Sequence, residues 1–227
     1  MHQHRYNRLE QAQRRIVILR PRRGLRVGIR GKSRQAGENE STESHFYQYV
    51  STGDNIPAMV LTREELIATL RNEVRILLHL AGKVDRSKLE YRPSPTQRTT
   101  LELLRYMAIM GPTQIGVIKG GVFNREALGA AWRPAEEGAK KMTFDQAIAA
   151  IGKQSAEYAR ELGTWTEADF RAPVDMFGHK TTRGSLLVDL VIGGHAAYRT
   201  QLFCYLKSCG RDELNTMNLW GGADGPG

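Results

Sequence analysis

A chain of 227 residues that is 41% hydrophobic and 25% charged has the make-up of one globular domain with some chain to spare. No run approaches the ~18 apolar residues of a membrane span. The longest candidate, Leu186 to Tyr198, is interrupted by Asp189 and His195, so no membrane partner is expected. The net charge of +9 suggests a nucleic-acid partner until it is divided. Residues 1–57 hold 11 Lys/Arg against 5 Asp/Glu, and the remainder holds 22 against 19. The basic excess lies mostly in the first segment, which argues against nucleic-acid binding by the rest, except non-specifically through that extension.

Residues 1–58 are Arg-rich from Arg5 to Arg34, then polar, and their few apolar residues keep no sustained period. They read as a disordered basic extension with a short helix over Asn7 to Leu19. Three readings compete: a tail touching anionic partners, an organellar targeting segment, and a start codon placed too early. The last is preferred, because Met59 stands three residues before a clean helix start. The first helix is predicted from Thr62 to Ala81. Thr62 and Glu65 form a capping box, Leu66, Leu70, Val74 and Leu77 mark one face, and Gly82 closes it. His79 lies at the edge of that stripe.

A second helix opens at Thr99 with its own box to Glu102, and Gly111-Pro112 is expected to kink or break it. Phe123 to Ala139 reads as an irregular excursion containing a short helix. The third helix runs from Thr143 to Leu162 with Ile148, Ile151, Ser155 and Tyr158 on its stripe. After a loop from Trp165 to Lys180, the fourth runs to Cys209 with Leu187, Leu190, Val191, Gly194, Tyr198 and Leu202 on one face. The predicted core comprises Leu70, Leu77, Leu104, Met107, Ile148, Ile151, Leu190 and Leu202. Residues 215–227 are expected to be extended, with Leu219 and Trp220 able to dock. Four amphipathic helices over 59–214 without alternating strands predict an all-α four-helix bundle. Cys204 and Cys209, five apart on a helix, point in different directions and read as buried thiols in a reducing, cytoplasmic setting.

Three pieces, in order, resemble the DinB-like, or YfiT-like, family of metal-dependent hydrolases and thiol transferases. They are Tyr91-Arg92-Pro93 followed by Leu101 to Ala108, the acidic loop Trp165 to Phe170, and His195 to Leu202 followed by Tyr205-Leu206-Lys207 and Gly210. The resemblance spans about residues 60–210 and implies an up-down-down-up bundle, often a homodimer. It also implies a divalent metal (zinc, nickel or manganese) held by three histidines. Matched residue by residue, those positions fall on Tyr106, Gly194 and Tyr198, none a histidine. His195 is one residue off register, rotated ~100° around the helix, and Glu102 is the remaining weak candidate ligand. No cofactor is therefore expected, and metal retention is the less favoured alternative.

Two readings of the altered site follow. In one, the Tyr106 and Tyr198 rings fill the space of the metal. In the other, Tyr106, His195 and Tyr198 line a small polar pocket for a small-molecule ligand, with Arg199 or Arg105 at its rim. Histidine would then serve as a base or tyrosine as a donor. A metal-independent ligand-binding or transferase-like protein, a non-enzymatic oligomeric bundle, and a metal-dependent hydrolase or thiol transferase remain the functional alternatives.

Overall fold

The computed structural model describes residues 61–225; the readings made for residues 1–58, including the late start at Met59, lie outside them. Helix α1 (Arg63–Ala81) begins where the sequence places it. Thr62 Oγ1 accepts from Glu65 N–H, and the Glu65 carboxylate accepts from Thr62 N–H at 2.8 Å. The same reciprocal cap starts α2 (Thr100–Gly120) at Thr99 and Glu102, and α4 (Phe144–Gly163) at Thr143 and Gln146. Each pair satisfies backbone donors that the first helical turn leaves unpaired.

Between α2 and α4 lies α3 (Arg125–Lys140), a full helix capped by Asn124 rather than an irregular excursion. It accommodates Pro134, which makes the segment look broken in sequence. A proline removes one donor and crowds the carbonyl four residues earlier, here Ala130, whose residue is exposed so that water can serve it.

Helix α2 likewise runs unbroken through Gly111 and Pro112, against expectation, for two local reasons. Gly111 lacks the Cβ that would clash with the following proline ring in helical backbone. The acceptor that Pro112 cannot serve, the Ala108 carbonyl, takes a hydrogen bond from Gln154 Nε2 of α4 at 2.9 Å. The same amide also donates to Met107 O at 2.8 Å. A side chain from a neighbouring helix thus stands in for the missing backbone donor.

After α4 comes a short helix α5 (Glu167–Arg171), then an antiparallel hairpin of β1 (Pro173–Met176) and β2 (His179–Thr182), where the sequence predicts only loop. The two-residue turn has positive φ at both Phe177 (56°) and Gly178 (88°), the geometry that matches strand twist. Phenylalanine is a poor residue for that conformation, so the chain carries no turn signal here. The last helical column is α6 (Arg183–Leu186), a π-helical segment Leu187–Ile192, and α7 (Gly193–Ser208). The wider π turn advances the buried positions by four, to Leu187, Val191, His195 and Arg199. The expected face through Leu190, Gly194 and Tyr198 is consequently only half buried.

The four long elements form a ring: α1 packs on α4 and α7, and α2 packs on the same two helices, with α3 laid against α2. The core holds Leu70, Leu77, Leu104, Met107, Ile151 and Leu202 as expected, each fully buried. Ile148 and Leu190 pack at its margin instead. On α4 the buried polar residue is Gln154, not Ser155. Cys204 is exposed and Cys209 half-buried, both free, because Cys204 follows buried Leu202 by two positions, over half a helical turn away.

Residues 211–225 are not extended. They include a π-helical turn, Met217–Gly221, and strap the outside of α1. Arg75 donates to the carbonyls of Gly221 and Gly222 at 2.8 and 3.0 Å. Asn218 is buried against His79, and Lys83 pairs with Asp224. Gly222, at φ 56°, lies so close to α1 that a Cβ there would stand 2.9 Å from Ile76 Cα. No helix among the described residues is long and apolar enough to cross a membrane.

Candidate functional site

The structure brings Tyr106 and Tyr198 together, with ring centroids 4.8 Å apart at 64°. Trp132 of α3 stacks on Tyr106 at 5.7 Å and 11°, and the Arg98 guanidinium lies 4.0 Å from its ring centre. Burial first, then the neighbouring Tyr198 hydroxyl, pushes the Tyr106 phenol well above its ordinary range, so it stays protonated and can donate. Gly194, one turn before Tyr198, faces Met110: a Cβ there would approach Met110 Sδ to 2.8 Å. The room left by this glycine is filled by the methionine. Trp132 is a site residue that the sequence conceals, because the helix carrying it reads as irregular chain.

His195 and Arg199 do not join the two tyrosines, which corrects the expectation of one shared pocket. The one-residue offset turns them onto a different helix face. His195 is fully buried, and its Nε2 pairs with Tyr158 Oη at 2.7 Å. Tyr158 Oη in turn donates to Gln154 Oε1 at 3.1 Å. Burial, aided by the Arg199 charge, lowers the His195 pKa to about 4. It is a neutral core histidine, shut away from solvent. Burial likewise raises the Tyr158 phenol far above its usual value.

Arg199, 2% exposed, places Nη1 3.0 Å from Glu73 Oε2 of α1. The approach is close, but the atoms are not aligned for a hydrogen bond. Burial raises the Glu73 pKa, and Arg199 opposes the rise. Trp220 of the strap covers this guanidinium at 5.4 Å. A buried polar chain therefore runs from His195 through Tyr158 to Gln154, beside the separate Glu73–Arg199 pair. Its signals in sequence are faint: Gln154 lies four residues before Tyr158, on the stripe that Ile151 and Tyr158 define.

The donor set does not fit a resident divalent metal. A catalytic ion takes three histidine, cysteine or carboxylate ligands, and the matched positions offer two phenols and a glycine. His195 faces Tyr158, and exposed Glu102 is engaged by the Thr99 cap at 2.7 Å and by Arg92 at 3.5 Å. Among the described residues, no three His, Cys, Asp or Glu side chains converge.

Beside Tyr106 lies an open groove of about 490 Å³ between α2, α3 and the loop before α2. Arg92, Arg98, Arg105 and Lys140 line it, with Glu102 and Glu136 opposing them and Pro95, Ile109 and Ala139 supplying apolar wall. Arg105 lines this groove, and Arg199 does not.

The described residues form an all-α bundle with the DinB-like fold. The DinB-like protein YjoA of Bacillus subtilis superposes with a TM-score of 0.50 over 66% of this chain and 94% of that one, at 20% sequence identity. That likeness carries the fold alone. No family model matches the sequence, and no curated protein sequence does.

Proposed function

We propose that the chain is a metal-independent small-ligand-binding protein built on the DinB-like fold, with the groove beside Tyr106 as its binding site. The observation that supports this reading is the groove itself. Its volume lies within the usual range for small-molecule sites, and its floor is Tyr106, at the position matched to the first metal ligand of the resembled family. A protonated phenol there is neither a metal ligand nor a base. Among the described residues, no imidazole or thiol lines the groove, and His195, near this level of the bundle, is sealed in the core. This favours binding over the transferase-like alternative in which a histidine serves as the base at the occupant.

The test is a fragment screen of the full chain by saturation-transfer NMR, repeated on Gln97→Trp. Gln97 is an exposed loop residue on the groove wall, so the larger ring should occlude the groove without touching the core. Fragments are expected to compete for one site and to lose their signal in the variant. A screen without hits, or hits indifferent to the substitution, would overturn the reading.

A further inference from the structure

Resting on that reading, we infer that the groove selects small organic dianions, a phosphate monoester or a dicarboxylate with a modest apolar part. Charge is concentrated there. Residues 58–227 carry only 22 Lys/Arg against 19 Asp/Glu. The groove alone gathers four cations against two carboxylates, so most of the surplus of this region is focused on one concavity. Low-dielectric walls around such a cluster concentrate its field toward an anion.

The arginines are also held in place while keeping free donors. Arg105 is half-buried, and its Nε donates to Met142 O at 2.7 Å, which fixes the planar guanidinium at the wall. Its two terminal nitrogens remain open to an occupant. Arg98 is laid over Tyr106 by a cation–π contact, which uses its face and leaves its edge donors available. Arg92 reaches Glu102 only at 3.5 Å, and the Glu102 carboxylate is already accepting from the Thr99 cap. Lys140 is the least available, since Glu137 pairs with it at 2.6 Å. The open forks of Arg98 and Arg105, with Arg92 in a long pairing beside them, suit doubly acidic groups better than a lone halide or a neutral ring. Ile109, Ala139 and Pro95 offer the remainder of the ligand an apolar surface.

The experiment titrates the full chain by isothermal calorimetry at low salt with phenyl phosphate, phthalate and benzyl alcohol. Phenyl phosphate or phthalate should bind with a Kd below about 1 mM, and the stronger of the two identifies the acid. Arg98→Gln and Arg92→Gln, both at exposed positions outside the core, should each weaken that binding by about tenfold. Arg160→Gln on the exposed side of α4 should leave it unchanged. Anion binding that survives the Arg92→Gln/Arg98→Gln pair undiminished would overturn the proposal. Benzyl alcohol binding, lost in Gln97→Trp, with neither anion bound would also overturn it while leaving the ligand-binding reading intact. If none of the three probes binds and the fragment screen is empty, both fall.

Discussion

Replacing Gly111 by alanine tests the interior of the bundle more severely than any truncation. In an ordinary helix this change is favourable by about 1 kcal/mol, because glycine has more backbone freedom to lose. Here the new methyl would stand 1.7 Å from Tyr158 Oη and 2.8 Å from its Cζ. The ring is 1% exposed and its hydroxyl is held by His195 and Gln154, so it has no free direction of retreat. Moving it strips a partner from two buried polar groups, at about 1–3 kcal/mol each, and the added Cβ also meets the Pro112 ring. After subtracting the propensity gain, Gly111→Ala should destabilise by about 1–5 kcal/mol. Gly116 provides the internal control: it lies on the same helix, exposed, and a methyl added there would meet nothing within 4 Å. Gly116→Ala should therefore stabilise by roughly 0.5–1 kcal/mol. Urea unfolding of both variants, with unchanged m values, measures the pair. If both substitutions stabilise equally, the slot for Tyr158 and the reasoning built on it are wrong.

Two further outcomes are expected. The neutral state of His195 makes stability fall with acid: its contribution is complete above the ordinary pKa of ~6.5 and is lost as pH drops toward about 4, because unfolding frees the imidazole to bind a proton. That gap is worth on the order of 3 kcal/mol. Urea melts of His195→Gln should show a shallower decline over this window, with His79, also lowered by burial, unchanged in both proteins; parallel declines would refute the assignment. Protein exposed to Zn²⁺, Ni²⁺ or Mn²⁺ and desalted should retain well under one equivalent by elemental analysis, since three suitable ligands do not meet at the matched positions. One tight ion per chain, removed by His195→Ala, would restore the metal reading.

The helices are legible because their ends are written in the chain: Thr62/Glu65, Thr99/Glu102 and Thr143/Gln146 each pair a cap with its return partner. Whatever depends on a distant partner is not. Pro112 looks like a break because its substitute donor, Gln154, comes from another helix. The face of the last helical column is misplaced at Leu190, Gly194 and Tyr198, since one π turn carries the core from Val191 to His195 and Arg199 and leaves no compositional trace. The site is half legible. Tyr106 and Tyr198 can be paired from the family pattern, but His195 and Arg199 separate from them only once their helix face is known. The groove cannot be foreseen at all, because its far wall is a helix that Pro134 disguises.

The amide of Gln154 filling the gap at Pro112 means that these two positions are not free to change in either order. Losing Gln154 first leaves the Ala108 carbonyl without its donor in the interior. Losing Pro112 first returns a backbone donor to that carbonyl and sets it in competition with the glutamine, which then crowds α2 for a reduced return. A lineage that removes both residues would have to pass through one of these poorer states, and the shallower route begins at the proline. The pair therefore acts as a ratchet: once a proline has been accepted at this depth and a glutamine recruited to serve it, each holds the other in place.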